Sequence, residues 1–128
     1  MRPEAQAWWE QANADLAAAR DIITLEHWFA AAFFAHQAAE AAMKALFIVV
    51  ERELPPRTHN LRGLATRVGA PAEVMMAVTR LAPVYTTSRY PDAASGRPID
   101  AFDRTLAQES LDDAEKAVQW VSKQIEQT

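Results

Sequence analysis

A chain of 128 residues, half of them apolar and 23% charged, has a globular composition and enough mass to build its own hydrophobic core. The absence of cysteine excludes disulfides and thiol chemistry, and leaves a zinc site only three histidines plus carboxylates to draw on. With 13 Lys+Arg against 17 Asp+Glu the formal charge is -4, so any nucleic-acid contact must be a local basic patch inside a field that repels phosphate.

The N-terminal stretch MRPEAQAWWEQANADL carries acidic residues and no apolar run. The expectation is therefore no signal peptide and a cytoplasmic location. Ala5, Trp9, Ala12, Leu16, Ala19 and Ile23, spaced four and three apart, predict a first amphipathic helix. Phe29, Phe33, His36, Glu40, Met43, Phe47 and Val50 continue that spacing through a second, with His36 and Glu40 as polar members of the stripe. Within HQAAEAAMK, His36, Glu40 and Lys44 stand four apart and form one row. The many alanines of these two helices have high helix propensity, and would also let helix axes approach closely, inside the fold or across a dimer. The longest purely apolar runs, such as Trp28 to Ala35, are too short to span a bilayer, and no membrane contact is expected.

A short helix follows over Asn60 to Val68, bounded by LPPRTH and by Gly69 as a C-cap. Another covers Pro71 to Thr87, which Pro83 must kink or divide. Thr86 to Asp100, rich in turn formers, is the longest loop. Ala107, Leu111, Ala114, Val118, Val121 and Ile125 mark the last helix, with Thr105 and Gln108 spaced as a capping box. The pattern predicts an all-α antiparallel bundle of three long helices plus one or two short ones, forming a single domain over residues 1–128.

Glycines only at 63, 69 and 96 exclude the usual phosphate-cradling loops, and no Glu-x-x-His pair suits a di-iron bundle. His36 and Glu40 are half of an H-x-x-x-E pair, a pattern common by chance, so neither a metal nor a cofactor is expected. Glu40 on an apolar stripe must pair, protonate or face a cleft. Its available partners are Lys44, one turn on, and Arg89, whose bidentate link could pin the long loop onto the second helix. His59 reads as a cap for the third helix or a bond to a loop carbonyl. Tyr90, held extended by Pro91, aims its ring into a groove as packing or as a base-stacking surface. Trp8, Trp9, Trp28 and Trp120 read as core and interface anchors. Arg52, Arg57, His59, Arg62, Arg67 and Arg80 concentrate positive charge in the middle third, while Asp112, Asp113, Glu115 and Glu126 make the last helix acidic. That asymmetry permits a phosphate-binding face.

Four stretches in order carry a family resemblance: Trp9 with AxxDLAAA at Ala12 to Ala19, HQAAEAAMKALF, Thr58-His59 with Leu61, and Arg89-Tyr90-Pro91-Asp92. Together they resemble the HEPN family, the higher-eukaryote and prokaryote nucleotide-binding domains, over essentially the whole chain. The resemblance implies a four- to five-helix bundle, usually dimeric, working with nucleotides or RNA and often paired with a minimal nucleotidyltransferase in a toxin-antitoxin-like system. Other members are metal-independent ribonucleases with an R-x4-6-H motif near the start of the last long helix. There the arginine binds phosphate and the histidine transfers protons. This chain departs from that motif. Arg89 is followed by YPDAASGRPID, and no histidine occurs after His59. Arg20 to His27 and Arg52 to His59 match the spacing at the wrong places in the fold, and read as coincidences.

The function implied is a nucleotide- or RNA-phosphate-binding companion of a minimal nucleotidyltransferase, a homodimer or higher homo-oligomer. His36, Glu40, Lys44, His59, Arg89, Tyr90 and Asp92 are the candidate ligand residues. One alternative is a metal-independent endoribonuclease toxin using Arg89 and His59. The other is a purely structural dimerisation module whose polar row fixes register.

Overall fold

Each of the three long periodic stretches forms one helix in the computed structural model, which describes all residues 1–128. These are α1 (Pro3–Thr24), α2 (Trp28–Glu51) and α7 (Arg104–Glu126). Between α2 and α7 lie α3 (Leu61–Arg67), α4 (Ala72–Leu81) and two single-turn helices, α5 (Val84–Thr87) and α6 (Pro91–Ala94), followed by a 3-10 turn at Pro98–Asp100. No strand forms.

Local chemistry sets the boundaries. Pro3 occupies the first turn of α1, where a missing N–H costs nothing. Only residues 25–27 join α1 to α2, so the two helices run antiparallel. Asn60 caps α3, its side-chain oxygen accepting from the Gly63 N–H at 3.0 Å. A Cβ at Gly63 would come within 2.6 Å of the Asn60 amide nitrogen, so any larger residue there would make the capping side chain shift. Past α3, Gly69 takes φ 77, the left-handed geometry expected of a C-cap glycine. Pro83 does divide the Pro71–Thr87 stretch: α4 stops at Leu81 and α5 begins at Val84. The Thr86–Asp100 loop is partly helical, holding α6 and the 3-10 turn. The expected capping box at Thr105 and Gln108 is not the cap of α7. Asp103 caps it instead, accepting from the Leu106 N–H at 2.8 Å, because the helix starts one turn earlier than the apolar pattern showed. Gln108 instead donates to Asp112 one turn on.

α2 is the centre of the bundle, with α1 and α7 packed along it and α3 and α5 at its side. It is buried on all sides between Ala31 and Ile48 except at Phe33, Phe34 and Gln37. An amphipathic stripe was the expectation; a helix covered by neighbours all round is the finding. It is also long and apolar enough to cross a membrane by length and composition, with mean hydropathy 1.3, yet 72% of that window is buried inside the bundle. Its alanines explain the close approach. Ala12 and Ala19 of α1 and Ala35, Ala38, Ala39 and Ala42 of α2 have no exposed surface, so they serve contacts within the chain. The four tryptophans are half-buried rather than fully inside; Trp8, Trp9 and Trp120 lie against the edge of the core.

A charged clasp joins α4 to the bundle. Arg80 of α4 donates two bonds to Asp113 of α7, Nη2 to Oδ1 at 2.8 Å and Nε to Oδ2 at 3.1 Å. Asp113, on an otherwise apolar face, is buried and needs that fork. Its hydrogen bonds and charge hold the Arg80 guanidinium above its ordinary pKa.

The alanine contacts leave no room for larger side chains. Ala42→Leu is expected to cost about 1–3 kcal/mol in urea unfolding, since the added methylenes force neighbouring helices apart. Ala17→Leu, on the exposed face of α1, should stay within about 0.5 kcal/mol of the parent.

Candidate functional site

The row seen in the sequence becomes a line of buried polar groups inside α2. His36 is 0%, Glu40 4% and Lys44 6% exposed. A carboxylate so deep must have its oxygens satisfied, and Glu40 divides them. Lys44 Nζ donates to Oε2 at 3.3 Å, and His59 Nδ1 donates to Oε1 at 2.8 Å. The ammonium of Lys44 also lies 4.8 Å from the Trp8 ring of α1, a cation-π contact that covers its other side. The i,i+4 pair is buried, so neither partner can be removed without stranding the other.

Arg89 does not reach Glu40, and the clasp expected between them is absent. Each oxygen of the carboxylate already has a partner, Lys44 on one and His59 on the other. The Arg89 guanidinium instead sits 4.7 Å over the Phe33 ring of α2. Nor does His59 cap α3, a role that Asn60 performs. The chain leaves α2, turns back and delivers His59 to Glu40, with its imidazole stacked on Tyr85 at 4.1 Å and 18° between planes.

Tyr85 is the hub that the sequence reading missed. Its ring lies 6.3 Å from Phe33, 5.5 Å from His36 and 6.4 Å from Tyr90, besides the stacked His59. His59 stacks on Tyr85 and Arg89 on Phe33, two rings of one aromatic cluster. Burial, the Tyr90 phenol and the Glu40 charge push the Tyr85 hydroxyl above its ordinary pKa, with Arg89 opposing, so the phenol keeps its proton at neutral pH. A sequence signal did exist: Tyr85 comes two residues after the helix-breaking Pro83, which turns α5 against α2.

Tyr90 is 51% exposed, so its ring offers a face to solvent rather than filling a groove. Asp92, in the first turn of α6, is exposed and forms no ion pair; it does not join the cluster. His36 lies beneath the cluster. Its Nδ1 is 3.2 Å from Gln37 Oε1, and its Nε2 has no partner. Arg52 ends α2 about three turns beyond Glu40, about 18 Å along the axis. The formal Arg52-to-His59 spacing is therefore no pair in space. On the α1 side, Asp15 has its carboxyl raised, mainly by burial and further by the Glu40 charge, with the Gln11 hydrogen bond opposing.

Chemically, Glu40 fixes the tautomer of His59. An ionised carboxylate can only accept, so Nδ1 carries the hydrogen and Nε2 of the neutral ring keeps its lone pair. The ring is half exposed at 50%. A histidine aligned by a carboxylate, and in the same aromatic cluster an arginine with no carboxylate partner, are groups suited to proton transfer and to phosphate binding. The largest groove in the molecule lies elsewhere, about 1060 Å³ along the start of α7. Both of its arginines are already paired, Arg104 with Glu26 and Arg80 with Asp113, so size does not mark it as the site.

A family model for the HEPN domain matches residues 5–125. Among solved structures, TT1696 from Thermus thermophilus has a TM-score of 0.84 at 33% identity, covering 94% of this chain and 97% of that one. ST0689, described as an archaeal HEPN homologue, has a TM-score of 0.82 at 32% identity over 98% and 99% of the two chains. No curated protein matches the chain.

Two stability measurements check the electrostatics. Burial lowers the pKa of His36 below 6.5, so the unfolded chain binds this proton before the native one does. Stability is fully held above about pH 6.5 and lost as pH falls toward the folded-state value. Urea midpoints of the parent should drop between about pH 7 and pH 5, and His36→Leu should flatten that slope. The raised Asp15 acts in the opposite sense, above 3.8 and in a lower window. Separately, Glu40→Ala strands the buried Lys44 and should cost on the order of 3 kcal/mol. Glu40→Gln, which keeps one carbonyl oxygen to accept from Lys44 and can donate its amide N–H to His59 if the imidazole switches tautomer, should cost less.

Proposed function

Because the chain belongs to the HEPN domain family, we propose that its His59 and Arg89 face binds the phosphate of a nucleotide or of RNA, and that the protein works as the companion of a minimal nucleotidyltransferase in a toxin-antitoxin-like pair. The observation that carries the binding site is the placement of His59 and Arg89 around Tyr85, with Glu40 holding the imidazole at 2.8 Å. Arg89 needs only to leave the Phe33 ring to meet an anion, because no carboxylate competes for it. The nucleotidyltransferase partner and the homodimeric state rest on the family resemblance.

A second reading is favoured by one feature, the fixed tautomer of His59. In a metal-independent endoribonuclease, Nε2 would take the proton of a ribose 2'-hydroxyl as its oxygen bonds to phosphorus. Arg89 would stabilise the phosphorane charge, and the His59 imidazolium so formed would return its proton to the leaving 5'-oxygen as that oxygen's bond to phosphorus breaks, leaving a 2',3'-cyclic phosphate. The R-x4-6-H spacing is absent, but the bundle brings an arginine and a histidine from separate segments to one cluster, which is the arrangement this chemistry requires.

Titration calorimetry with AMP should show binding that Arg89→Ala weakens about tenfold or more, the loss of one charge-assisted phosphate contact. Arg89→Lys should recover part of it. AMP affinity indifferent to Arg89→Ala and His59→Ala would sink the site. Incubation with single-stranded RNA separates the readings: cleavage by the parent and none by His59→Ala establishes the nuclease, and intact RNA with retained AMP binding establishes the companion. Co-purification with a nucleotidyltransferase encoded alongside tests the partnership.

A further inference from the structure

The arginines of this chain divide by whether they meet a carboxylate. Arg2, Arg20, Arg67, Arg80, Arg97 and Arg104 each have one within 3.5 Å. Arg52, Arg57, Arg62 and Arg89 have none. The first three bracket His59 in the chain, and the fourth lies over Phe33 in the same aromatic cluster. Between Glu53 and Glu73 there is no acidic residue at all, in a protein whose net charge is -4. The uncompensated positive charge of the arginines is therefore gathered at the candidate site.

The course of the chain gives that charge a shape. Arg52 closes α2 about 18 Å from Glu40, measured along the helix axis. His59 has returned to Glu40. Residues 52–59 must therefore run back alongside α2, setting out Arg52, Arg57 and His59 over a distance of about that length. Arg62 follows in the first turn of α3, and Arg89 with Tyr90 lies beyond Tyr85. All four arginines and His59 are exposed. A single mononucleotide cannot meet cations so far apart, whereas a chain of phosphodiesters can.

We propose that Arg52, Arg57 and Arg62 form an extension of the phosphate site that holds single-stranded nucleic acid along the α2–α3 connection. This rests on the binding face described in the preceding subsection, and specifies its ligand as a strand rather than a free nucleotide. The exposed ring of Tyr90 decides between polyanions. An aromatic face beside a phosphate-binding arginine stacks an unpaired base, a role that an acidic protein surface or a lipid headgroup would leave unused.

The test measures Kd by fluorescence anisotropy for an oligouridylate of about nine nucleotides, the matching oligodeoxynucleotide and AMP, each over a range of salt. The parent should bind the oligonucleotides more tightly than AMP, with a steeper salt dependence. Arg57→Ala with Arg62→Ala should weaken oligonucleotide binding roughly tenfold and reduce the log–log salt slope by about 1.4, two single-strand phosphate contacts at about 0.7 each. The same pair should leave AMP unaffected, and Arg57→Lys with Arg62→Lys should retain strand binding. Oligonucleotide affinity no greater than that for AMP, or unchanged in the alanine pair, overturns the extension. So does equal affinity for phosphatidylserine vesicles. Failure of the underlying site reads out differently, as AMP binding indifferent to Arg89→Ala. RNA and DNA arms that diverge identify which strand is held.

Discussion

A carboxylate in the driest helix of the bundle is the constraint around which the rest is arranged. Glu40 sits on α2, which neighbours cover on nearly every side, and an ion there is tolerated only when both oxygens are met. One partner comes from the same helix, Lys44, itself held against Trp8 of α1. The other comes from a segment that leaves α2 and returns to it, His59. Pairing Glu40 therefore ties α1, α2 and the α2–α3 connection together at one point. It also fixes the orientation of an imidazole at the surface. A structural requirement of the interior and a chemical requirement of the site are met by the same two hydrogen bonds.

The aromatic cluster extends that arrangement outward. Tyr85 supplies the stacking face for His59, and Phe33 supplies a resting place for Arg89. Because Arg89 is held by a ring rather than a carboxylate, an incoming anion displaces a weak cation-π contact and no ion pair. The contrast with Arg80 is instructive. Its guanidinium is forked onto buried Asp113 and is committed to joining α4 and α7. Arginines at the two places share a residue type and differ in what they are free to do.

Much of this was legible in the sequence. The three long helices follow from period-3.6 stripes, and the break at Pro83 from its missing N–H. The HEPN resemblance drawn from four short stretches agrees with the family match over residues 5–125. What periodicity could not show was how many faces α2 buries, because alanine marks neither side of a helix as inner or outer. The pairing of Glu40 was misread for a related reason. Lys44 was visible one turn away, but the second partner depended on the path of residues 52–59, which no local pattern encodes. Arg89 was the attractive choice on charge alone, and lost to a histidine placed by a turn. Tyr85 went unremarked because its importance lies wholly in its neighbours from three other segments.

The even burial of α2 has a consequence for how the two walls of the site behave in time. Glu40 and His36 belong to the helix most enclosed by the others, whose amides are reached by solvent only when the whole bundle opens. From Arg89 to Leu106 not one residue is buried, so that stretch gives up few apolar contacts when it lifts away. The site thus pairs a wall that keeps its shape for the lifetime of the fold with one held by far fewer apolar contacts. A bound strand would quiet the second wall while leaving the first as it was, and the ordering of Arg89 and Tyr90 would set how long the strand resides.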